Sequence, residues 1–318
     1  MANFWLELPK NFSVLAPMED VTDTVFRQVI IKAGRPDVMF TEFTNCDGMC
    51  SIGQANLIHR LKFSSLEKPI VAQIWGKTPE NYYQTAKLCL EMGFDGVDIN
   101  MGCPEKSVIK QGACSALINN HELASEIIKS VNRAVEGKIP VSVKTRIGFN
   151  TIVTEDWIGF LLKQNIQALT VHSRTAKELS DAPNHFEQYE IIQSLRDEIN
   201  PNCILIANGD ITDSTHGVNV CEQYQIEGYM IGRGVFQNPW CFNPTIKIDE
   251  VSKQTRLELL QFHLNLWSET WQNSKSYPKL KKYFKIYIQS FAQASDLRVS
   301  LMETKYIEEA KKIIFDNL

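Results

Sequence analysis

The stretch GVDINMGCP, residues 96–104, has the pattern of a short buried strand that ends in a rigid loop. The strand breaks at Gly102, where the backbone can turn sharply or approach a ligand closely. Pro104 fixes its own φ and restricts the residue before it to an extended conformation. Cys103 is therefore held at a strand end, three residues after the amide of Asn100. A cysteine is often only a core residue, but this placement favours a functional thiol.

Other apolar runs of similar length lie on both sides of this strand, and helical patterns separate most of them. The predicted strands are residues 13–18, 38–43, 69–75, 96–100, 141–145, 168–172, 204–208 and 228–231. The predicted helices are residues 23–33, 79–92, 121–135, 155–164, 185–199 and 214–224. Thr78 before Pro79, and Asn120, have the pattern of N-caps. Eight strands that alternate with helices predict an α/β fold, a parallel (β/α)8 TIM barrel.

The last part of the chain has a different pattern. After residue 251 the apolar residues recur at helical spacing and no strand-like alternation is present. We therefore predict a small all-helical C-terminal domain. The predicted domains are residues 1–243 for the barrel and 244–318 for the helices, with a proline-containing linker at 238–249.

Composition narrows the class of protein. The chain has 318 residues, of which 44% are hydrophobic and 22% charged, as in ordinary globular proteins. It has no apolar run of about 18 residues and no signal-peptide pattern at its N-terminus, so we expect a cytoplasmic protein without a membrane partner. The eight cysteines lack the spacing of metal ligands, which favours reduced thiols and no metal site. We expect a monomer.

Charge is distributed unevenly along the chain. The net charge of −4 does not by itself suggest a nucleic-acid partner. Residues 251–318, however, contain 11 Lys and Arg against 7 Asp and Glu, whereas the rest of the chain contains 22 against 30. A basic tail on an acidic barrel indicates a polyanionic partner.

Polar and cationic side chains follow most of the predicted strands, at the face where barrels carry their active sites. Glycine loops follow strands seven and eight, which is the usual phosphate site of barrels, and Arg233 adds a charged donor; two ordinary tight turns are the alternative. Lys144 could be a structural lysine paired with a carboxylate, a Schiff-base lysine or a lysine that faces a flavin ring. His172 could be a hydrogen-bonded core group or part of the site.

These residues, in this order, resemble the tRNA-dihydrouridine synthase family. The matching motifs are Ala16-Pro17-Met18, Thr22-Asp23 with Phe26-Arg27, Gln73, the block 100–104 with Lys106 and Lys110, Lys144, the block 172–175, the block 208–210, and Gly232-Arg233. One departure is the loop after Lys110, which is usually richer in glycine and here contains Cys114. The motifs span most of the barrel.

The resemblance implies a reductase of the C5–C6 double bond of uridine in tRNA, with flavin mononucleotide (FMN) as cofactor and NADPH or NADH as reductant. It implies that Cys103 is the catalytic proton donor, a role that suits a thiol with the ordinary pKa of ~8.5. The implied cofactor-binding residues are Ala16, Pro17, Met18, Gln73, Lys144, His172, Asn208, Gly209, Asp210, Gly232 and Arg233. The implied substrate-binding residues in the barrel are Asn100, Lys106 and Arg174.

The stretch 275–285 contains five lysines between aromatic residues. Such a run could be only a solvated helix face, but in the basic tail it predicts contact with RNA phosphates. The lysines assigned to this contact are Lys279, Lys281, Lys282 and Lys285. If these residues form a helix, at least one of Tyr283 and Phe284 should pack in the core, so electrostatics should dominate over base stacking.

Two other functions are compatible with the sequence. A flavin-dependent barrel could reduce a free small molecule, but it would not need a basic helical tail. A flavin-free Schiff-base lyase could use Lys144, and the purified protein would then be colourless.

Overall fold

The computed structural model describes residues 3–272 and 274–318. Its strands are β1 (Phe12–Leu15), β2 (Val38–Phe40), β3 (Thr44–Asn45), β4 (Ile70–Trp75), β5 (Gly96–Met101), β6 (Val141–Arg146), β7 (Ala168–His172), β8 (Ile204–Asn208) and β9 (Gly228–Ile231). Its helices are α1 (Thr24–Ala33), α2 (Cys46–Met49), α3 (Pro79–Glu91), α4 (Lys106–Ile109), α5 (His121–Val135), α6 (Thr154–Leu162), α7 (Gln188–Ile199), α8 (Ser214–Tyr224), α9 (Gly234–Gln237), α10 (Lys253–Trp271), α11 (Phe284–Tyr287), α12 (Ala294–Glu303) and α13 (Ile307–Phe315).

The sheet closes on itself into a parallel barrel. Strands β4 to β9 pair in chain order, β9 pairs with β1, β1 with β2, and β2 with β4. The two-residue strand β3 only extends the edge of β4. Since α1, α3, α5, α6, α7 and α8 each follow a strand, the predicted TIM barrel is confirmed.

Apolar side chains fill the amino-terminal end of the barrel. A short 3-10 turn, Phe4–Glu7, brings Trp5 to 5.9 Å from Phe12 and 6.4 Å from Phe40, measured between ring centroids. Phe4 lies close to Gly96, the first residue of β5. Among the described residues this end is therefore packed with aromatic side chains, whereas Lys144, His172 and Asn208 lie at the opposite, carboxyl ends of their strands.

The C-terminal region is helical, as predicted, and packs on the barrel through a continuous apolar core. Phe26 of α1 stacks on Tyr283 with ring centroids 4.9 Å apart. The expectation that Tyr283 or Phe284 packs in the core is confirmed, because both are buried. Trp240 and Phe242, within the predicted linker, are also buried, so this connection packs against its neighbours. No helix within the described ranges is long and apolar enough to cross a membrane.

Several predicted boundaries were wrong by a few residues. β1 ends at Leu15, which leaves Ala16, Pro17 and Met18 in the loop that follows, and Thr22 Oγ1 accepts a hydrogen bond from the Met18 amide at 2.9 Å. The predicted strand 38–43 is divided, since β2 ends at Phe40 and β3 begins at Thr44.

Helix starts also differ from the predictions. α6 runs over Thr154–Leu162, and α7 begins at Gln188. His185, predicted to start this helix, lies in the turns before it, 2.9 Å from Glu178. The Asn120 cap is confirmed, as its side chain accepts from the Leu123 amide at 3.1 Å. Thr78 lies at the N-cap position, but its side chain makes no capping hydrogen bond.

Candidate active site at the carboxyl ends of the strands

A polar cleft of about 470 Å³ opens at the carboxyl ends of β1 and β6 to β9. Its lining residues are Ala16, Pro17, Met18, Lys144, His172, Ser180, Asn208, Gly209, Asp210, Ile211, Thr212, Gly232, Arg233, Gly234 and Gln237. All the predicted cofactor-binding residues except Gln73 are in this set. The barrel therefore brings together side chains that the sequence separates by more than 200 residues.

Lys144 is the cation at the centre of the strand ends. Its Nζ donates to Asn208 Oδ1 at 2.8 Å, and Asn208 Nδ2 donates to the Met230 carbonyl at 3.0 Å, which fixes the amide. Burial, and then the charge of Arg146, lower the pKa of Lys144 to about 8. The partner of Lys144 is thus an amide and not a carboxylate. An ammonium group has three donors, so the hydrogen bond to Asn208 leaves others for a ligand in the cleft.

A buried hydrogen-bond chain leads from Asp98 to the cysteine loop. Asp98 accepts from Ser142 Oγ at 2.6 Å and from Gln73 Nε2 at 2.7 Å. Gln73 Oε1 accepts from Asn100 Nδ2 at 3.0 Å, and Asn100 Oδ1 accepts from the Cys103 amide at 3.0 Å. Gln73 is completely buried in this chain, so the structure gives it a role in orienting Asn100.

The loop of Cys103 adjoins the cleft without lining it. Asn100 is the register partner of Lys144 across β5 and β6, so the strand end that carries Cys103 is next to the strand that carries the central cation. Asn100 also accepts a hydrogen bond from the Gly102 amide at 3.1 Å. Both backbone amides of the turn are thereby bound to one side chain, which holds the backbone that carries the thiol.

The pKa of the Cys103 thiol is lowered to about 7. The neighbouring Cys114 thiol is the largest cause, and the backbone of Glu105 and the charge of Arg146 add to it, while burial raises the pKa. The sequence-based expectation of an ordinary thiol pKa was therefore wrong. It failed because Cys114 and Arg146 approach Cys103 only in the folded chain.

Arg146 is a strand-end residue to which the sequence assigned no role. Its Nε donates to the Gly102 carbonyl at 2.9 Å, and its Nη1 donates to the carbonyls of Thr175 and Leu179 at 2.9 and 2.8 Å. Burial lowers the pKa of Arg146 to about 10, which still leaves it charged at neutral pH. The guanidinium thus joins the loops that follow β5 and β7. Its position two residues after Lys144 was the available signal.

Asp210 is bracketed by two arginines. Arg174 Nη2 lies 2.5 Å from Asp210 Oδ2, and Arg233 pairs with Oδ1 of the same carboxylate. Arg174 is buried, whereas 60% of the Arg233 side chain is exposed. Arg174, predicted to bind substrate, is therefore committed to Asp210 and to the Ala182 carbonyl at 2.6 Å. Arg233 is the more accessible charge.

His172 is neutral in this environment. Burial, followed by the charges of Arg146 and Lys144, lowers its pKa well below the ordinary value. Its Nε2 lies 3.4 Å from Arg174 Nη1, which places an N–H donor beside the ring nitrogen. His172 can therefore offer hydrogen bonds in the cleft without adding positive charge.

The turn after β8 requires glycine at position 209. Gly209 has a φ of +127°, and a Cβ there would come to 2.9 Å from Ser173 Oγ and 3.1 Å from the His172 ring. A side chain would both strain the backbone and clash. The backbone of this turn can thus approach a ligand in the cleft closely.

The predicted RNA-binding lysines fall into two groups. Lys281 Nζ donates to the Met302 carbonyl at 2.7 Å, and Lys282 donates to the Asp20 carbonyl. The side chains of Lys279 and Lys285 are exposed and make no hydrogen bond or ion pair with the described residues. Lys106, on the surface at the start of α4, is exposed as well.

A parallel barrel with a cation-lined cleft at its carboxyl ends, and a tethered thiol beside that cleft, has the architecture of a TIM-barrel enzyme. A model of the family described as "Dihydrouridine synthase (Dus)" matches residues 14–316. The chain therefore belongs to the tRNA-dihydrouridine synthase family.

Relatives that match over nearly their whole length carry the name of this family. The chain is 45% identical to the "Probable tRNA-dihydrouridine synthase" of Staphylococcus aureus (strain COL), over 98% of this chain and 94% of the relative. It is 45% identical to the "Probable tRNA-dihydrouridine synthase 2" of Bacillus subtilis (strain 168), over 99% of this chain and 96% of the relative.

Solved structures share the fold at low identity. Histamine dehydrogenase from Rhizobium sp. 4-9 matches with a TM-score of 0.55 and 13% identity, over 80% of this chain and 49% of that chain. A 2-naphthoyl-CoA reductase matches with a TM-score of 0.58 and 10% identity, over 73% of this chain and 49% of that chain. This chain spans about half of each of these structures, and at such low identity the likeness concerns the fold alone.

Proposed function

We propose that this protein reduces uridine in tRNA to 5,6-dihydrouridine, with FMN as cofactor and NADPH or NADH as reductant. The observation that carries the proposal is the position of Cys103, tied by Asn100 beside a cleft that contains Lys144 and Arg233. A reductase of this kind needs an electron carrier, a proton donor and a polyanion-binding surface, and the chain has a candidate for each.

The cleft suits flavin mononucleotide in size and in chemistry. Its volume of about 470 Å³ is within the range of ligand pockets, ~300–1,000 Å³. The Gly209 turn and the Gly232–Arg233 loop follow the last two strands, where barrels bind phosphate, and Arg233 supplies an exposed charge. Lys144 and His172 offer donors to the ring system. When bound, the flavin accepts electrons from NADPH or NADH and supplies the hydride that reduces the uracil.

Cys103 supplies the proton that completes the reduction at C5 of the uracil. Asn100 and Arg146 hold the loop on which the thiol lies, and Asn100 has a remaining amide hydrogen with which to orient the base. The uridine must leave its stack to reach this position, at a cost of a few kcal/mol. Contacts between the protein and the tRNA backbone offset that cost.

We assign catalysis and tRNA binding to different parts of the chain. Residues 1–243 form the catalytic barrel and residues 244–318 help to bind tRNA. The exposed Lys279 and Lys285, with Lys106 near the thiol loop, are the phosphate contacts of first choice. Lys281 and Lys282 add charge to the same surface, although their ammonium groups also hold the tail together.

The test is reduction of an unmodified tRNA transcript by the purified protein with NADPH. We expect a yellow protein that releases FMN on denaturation and forms dihydrouridine, detected by mass spectrometry of the digested tRNA. Lys144→Ala should lose most of the bound flavin, whereas Lys163→Ala, an exposed lysine on the barrel surface, should retain it. A colourless protein that binds no added FMN would contradict the proposal.

The lowered pKa of Lys144 also suits a Schiff-base amine, which is the second candidate function. A lyase of that kind would be trapped on Lys144 by borohydride with a carbonyl substrate and would need no flavin. Flavin release from the purified protein separates the two functions in one measurement.

A further inference from the structure

Cys103 has a thiol neighbour. After Cys103 the chain passes through α4 and returns, and the Ser115 amide lies 3.4 Å from the Cys103 carbonyl, which closes the loop next to Cys114. Cys103 packs against a small cluster formed by Val108, Ala113 and Cys114. Neither cysteine is in a disulfide. Two free thiols, eleven positions apart in sequence, therefore meet at the candidate active site.

The two thiols differ in access to solvent. Cys103 is partly exposed, whereas Cys114 is completely buried beneath it. Cys114 has a φ of +51°, a backbone conformation that non-glycine residues seldom adopt. A reagent from solvent can thus reach Cys103, while Cys114 can react only with what is bound to Cys103.

We propose that Cys103 and Cys114 form a reversible disulfide when the protein meets a peroxide. The Cys103 thiolate attacks one peroxide oxygen, breaks the O–O bond and becomes a sulfenic acid, and the other oxygen leaves as water or an alcohol. The Cys114 thiol then attacks the Cys103 sulfur, the S–S bond forms and water leaves. Both thiols are oxidised and one peroxide is reduced.

The consequence is protection of the thiol at the active site. A sulfenic acid without a neighbouring thiol is oxidised further to sulfinic acid, which thiol reductants do not reverse. With Cys114 in contact, the first oxidation is diverted into a disulfide that a thiol can reduce. The enzyme would then be switched off by peroxide and recover afterwards.

The experiment treats the purified holoprotein with hydrogen peroxide, alkylates the remaining thiols and digests the protein after glutamate. Glu91, Glu105 and Glu122 place Cys103 in peptide 92–105 and Cys114 in peptide 106–122, each without another cysteine. We expect a cross-linked pair of these peptides, lighter than their sum by two hydrogen atoms, that dithiothreitol abolishes. Cys50, which is exposed, is the internal control. It should react with peroxide at least about tenfold more slowly than Cys103, because the pKa of Cys50 is raised and that of Cys103 is lowered.

The variant Cys114→Ser tests the second thiol. It should give no cross-link, and peptide 92–105 should instead gain two oxygen atoms that dithiothreitol cannot remove. The proposal would be overturned if, in the parent protein, Cys103 gained oxygen while Cys114 could still be alkylated after unfolding. The peptide masses of the parent decide the question even if the variant does not fold, and they do not depend on the reaction proposed for Cys103.

Discussion

Cys103 is held from several directions at once. Asn100 Oδ1 accepts a hydrogen bond from the Cys103 amide, and Arg146 donates to the Gly102 carbonyl. The Cys103 side chain packs against the cluster that contains Cys114. Each contact comes from a different part of the chain, so the thiol is positioned by the fold as a whole. Changes at this residue should affect chemistry more than stability.

We expect Cys103→Ala to separate the two half-reactions. Reduction of the bound flavin by NADPH needs no proton from this thiol and should continue near the parent rate. Reduction of uridine should fall by about 10²–10⁴-fold, the usual effect of losing a general acid. Stopped-flow measurement of each half-reaction checks this, and an equal loss in both would mean that Cys103 is structural.

The pKa of Cys103 predicts a pH dependence for uridine reduction. Below pH 7 the thiol is protonated and can donate, and above pH 7 it becomes a thiolate that cannot, so the single-turnover rate should fall about tenfold per pH unit on the alkaline side. Cys114→Ala removes the largest cause of the lowered pKa and should move the break to higher pH. A rate that stays flat, or rises, on the alkaline side would rule out the thiol as proton donor.

Among the elements, the stretch after α10 is irregular, and Pro278 divides it. Pro278 lies in a 3-10 turn, Tyr277–Lys279, and a second 3-10 turn, Lys281–Tyr283, precedes α11. The lysines therefore do not lie on one regular helix. Two of them hold the tail through backbone carbonyls, and two extend into solvent.

The double variant Lys279→Ala/Lys285→Ala should weaken tRNA binding without altering the melting temperature. Since each phosphate contact contributes to counterion release, the slope of log affinity against log salt should become shallower by about one to two. Filter binding over a range of salt concentrations measures it. Lys281→Ala is the matched comparison and should lower the melting temperature, because Lys281 binds the carbonyl of Met302. Unchanged affinity and slope in the double variant would mean that RNA binds elsewhere.

At the scale of the whole molecule, a buried charge cluster joins the helical tail to the barrel. Lys275 Nζ lies 2.9 Å from Asp23 Oδ2, 3.9 Å from Glu42 Oε2 and 4.1 Å from the Trp271 ring centroid. Burial raises the pKa of Glu42 to about 7, and the charge of Lys275 opposes that rise. Tyr283 donates from the tail to the Asp20 carbonyl at 3.1 Å, in the loop that follows the cleft residues.

We expect Lys275→Met to lower the free energy of unfolding by about 3 kcal/mol at pH 8, because two buried carboxylates lose their cation. The methionine keeps the apolar stem over Trp271, so the change concerns charge. The loss should shrink below pH 6, since the raised pKa of Glu42 allows it to take up a proton there. Urea unfolding at both pH values tests this. The double variant Lys275→Met/Glu42→Gln should recover part of the lost stability. A loss that does not depend on pH would mean that the charge of Glu42 is not its cause.

The sequence alone determined the class of fold. Apolar runs that alternate with helical patterns can bury their side chains on both faces only in a parallel sheet covered by helices, and eight such units close a barrel. The order of motifs at the strand ends then predicted most of the cleft, because the carboxyl ends of parallel strands must meet at one face. The helical tail was equally visible in its spacing.

Tertiary structure decided what depends on distance across the chain. The pKa of Cys103 is set by Cys114 and Arg146, and Arg174 is bound to Asp210 in a contact that no local pattern encodes. The sequence predicted that Lys281 and Lys282 contact RNA phosphates, yet their ammonium groups donate to carbonyls that are distant along the chain. Periodicity reports which face of an element is buried. Electrostatics and hydrogen bonding depend on atoms a few ångströms apart, and those neighbours exist only once the barrel and its tail have packed.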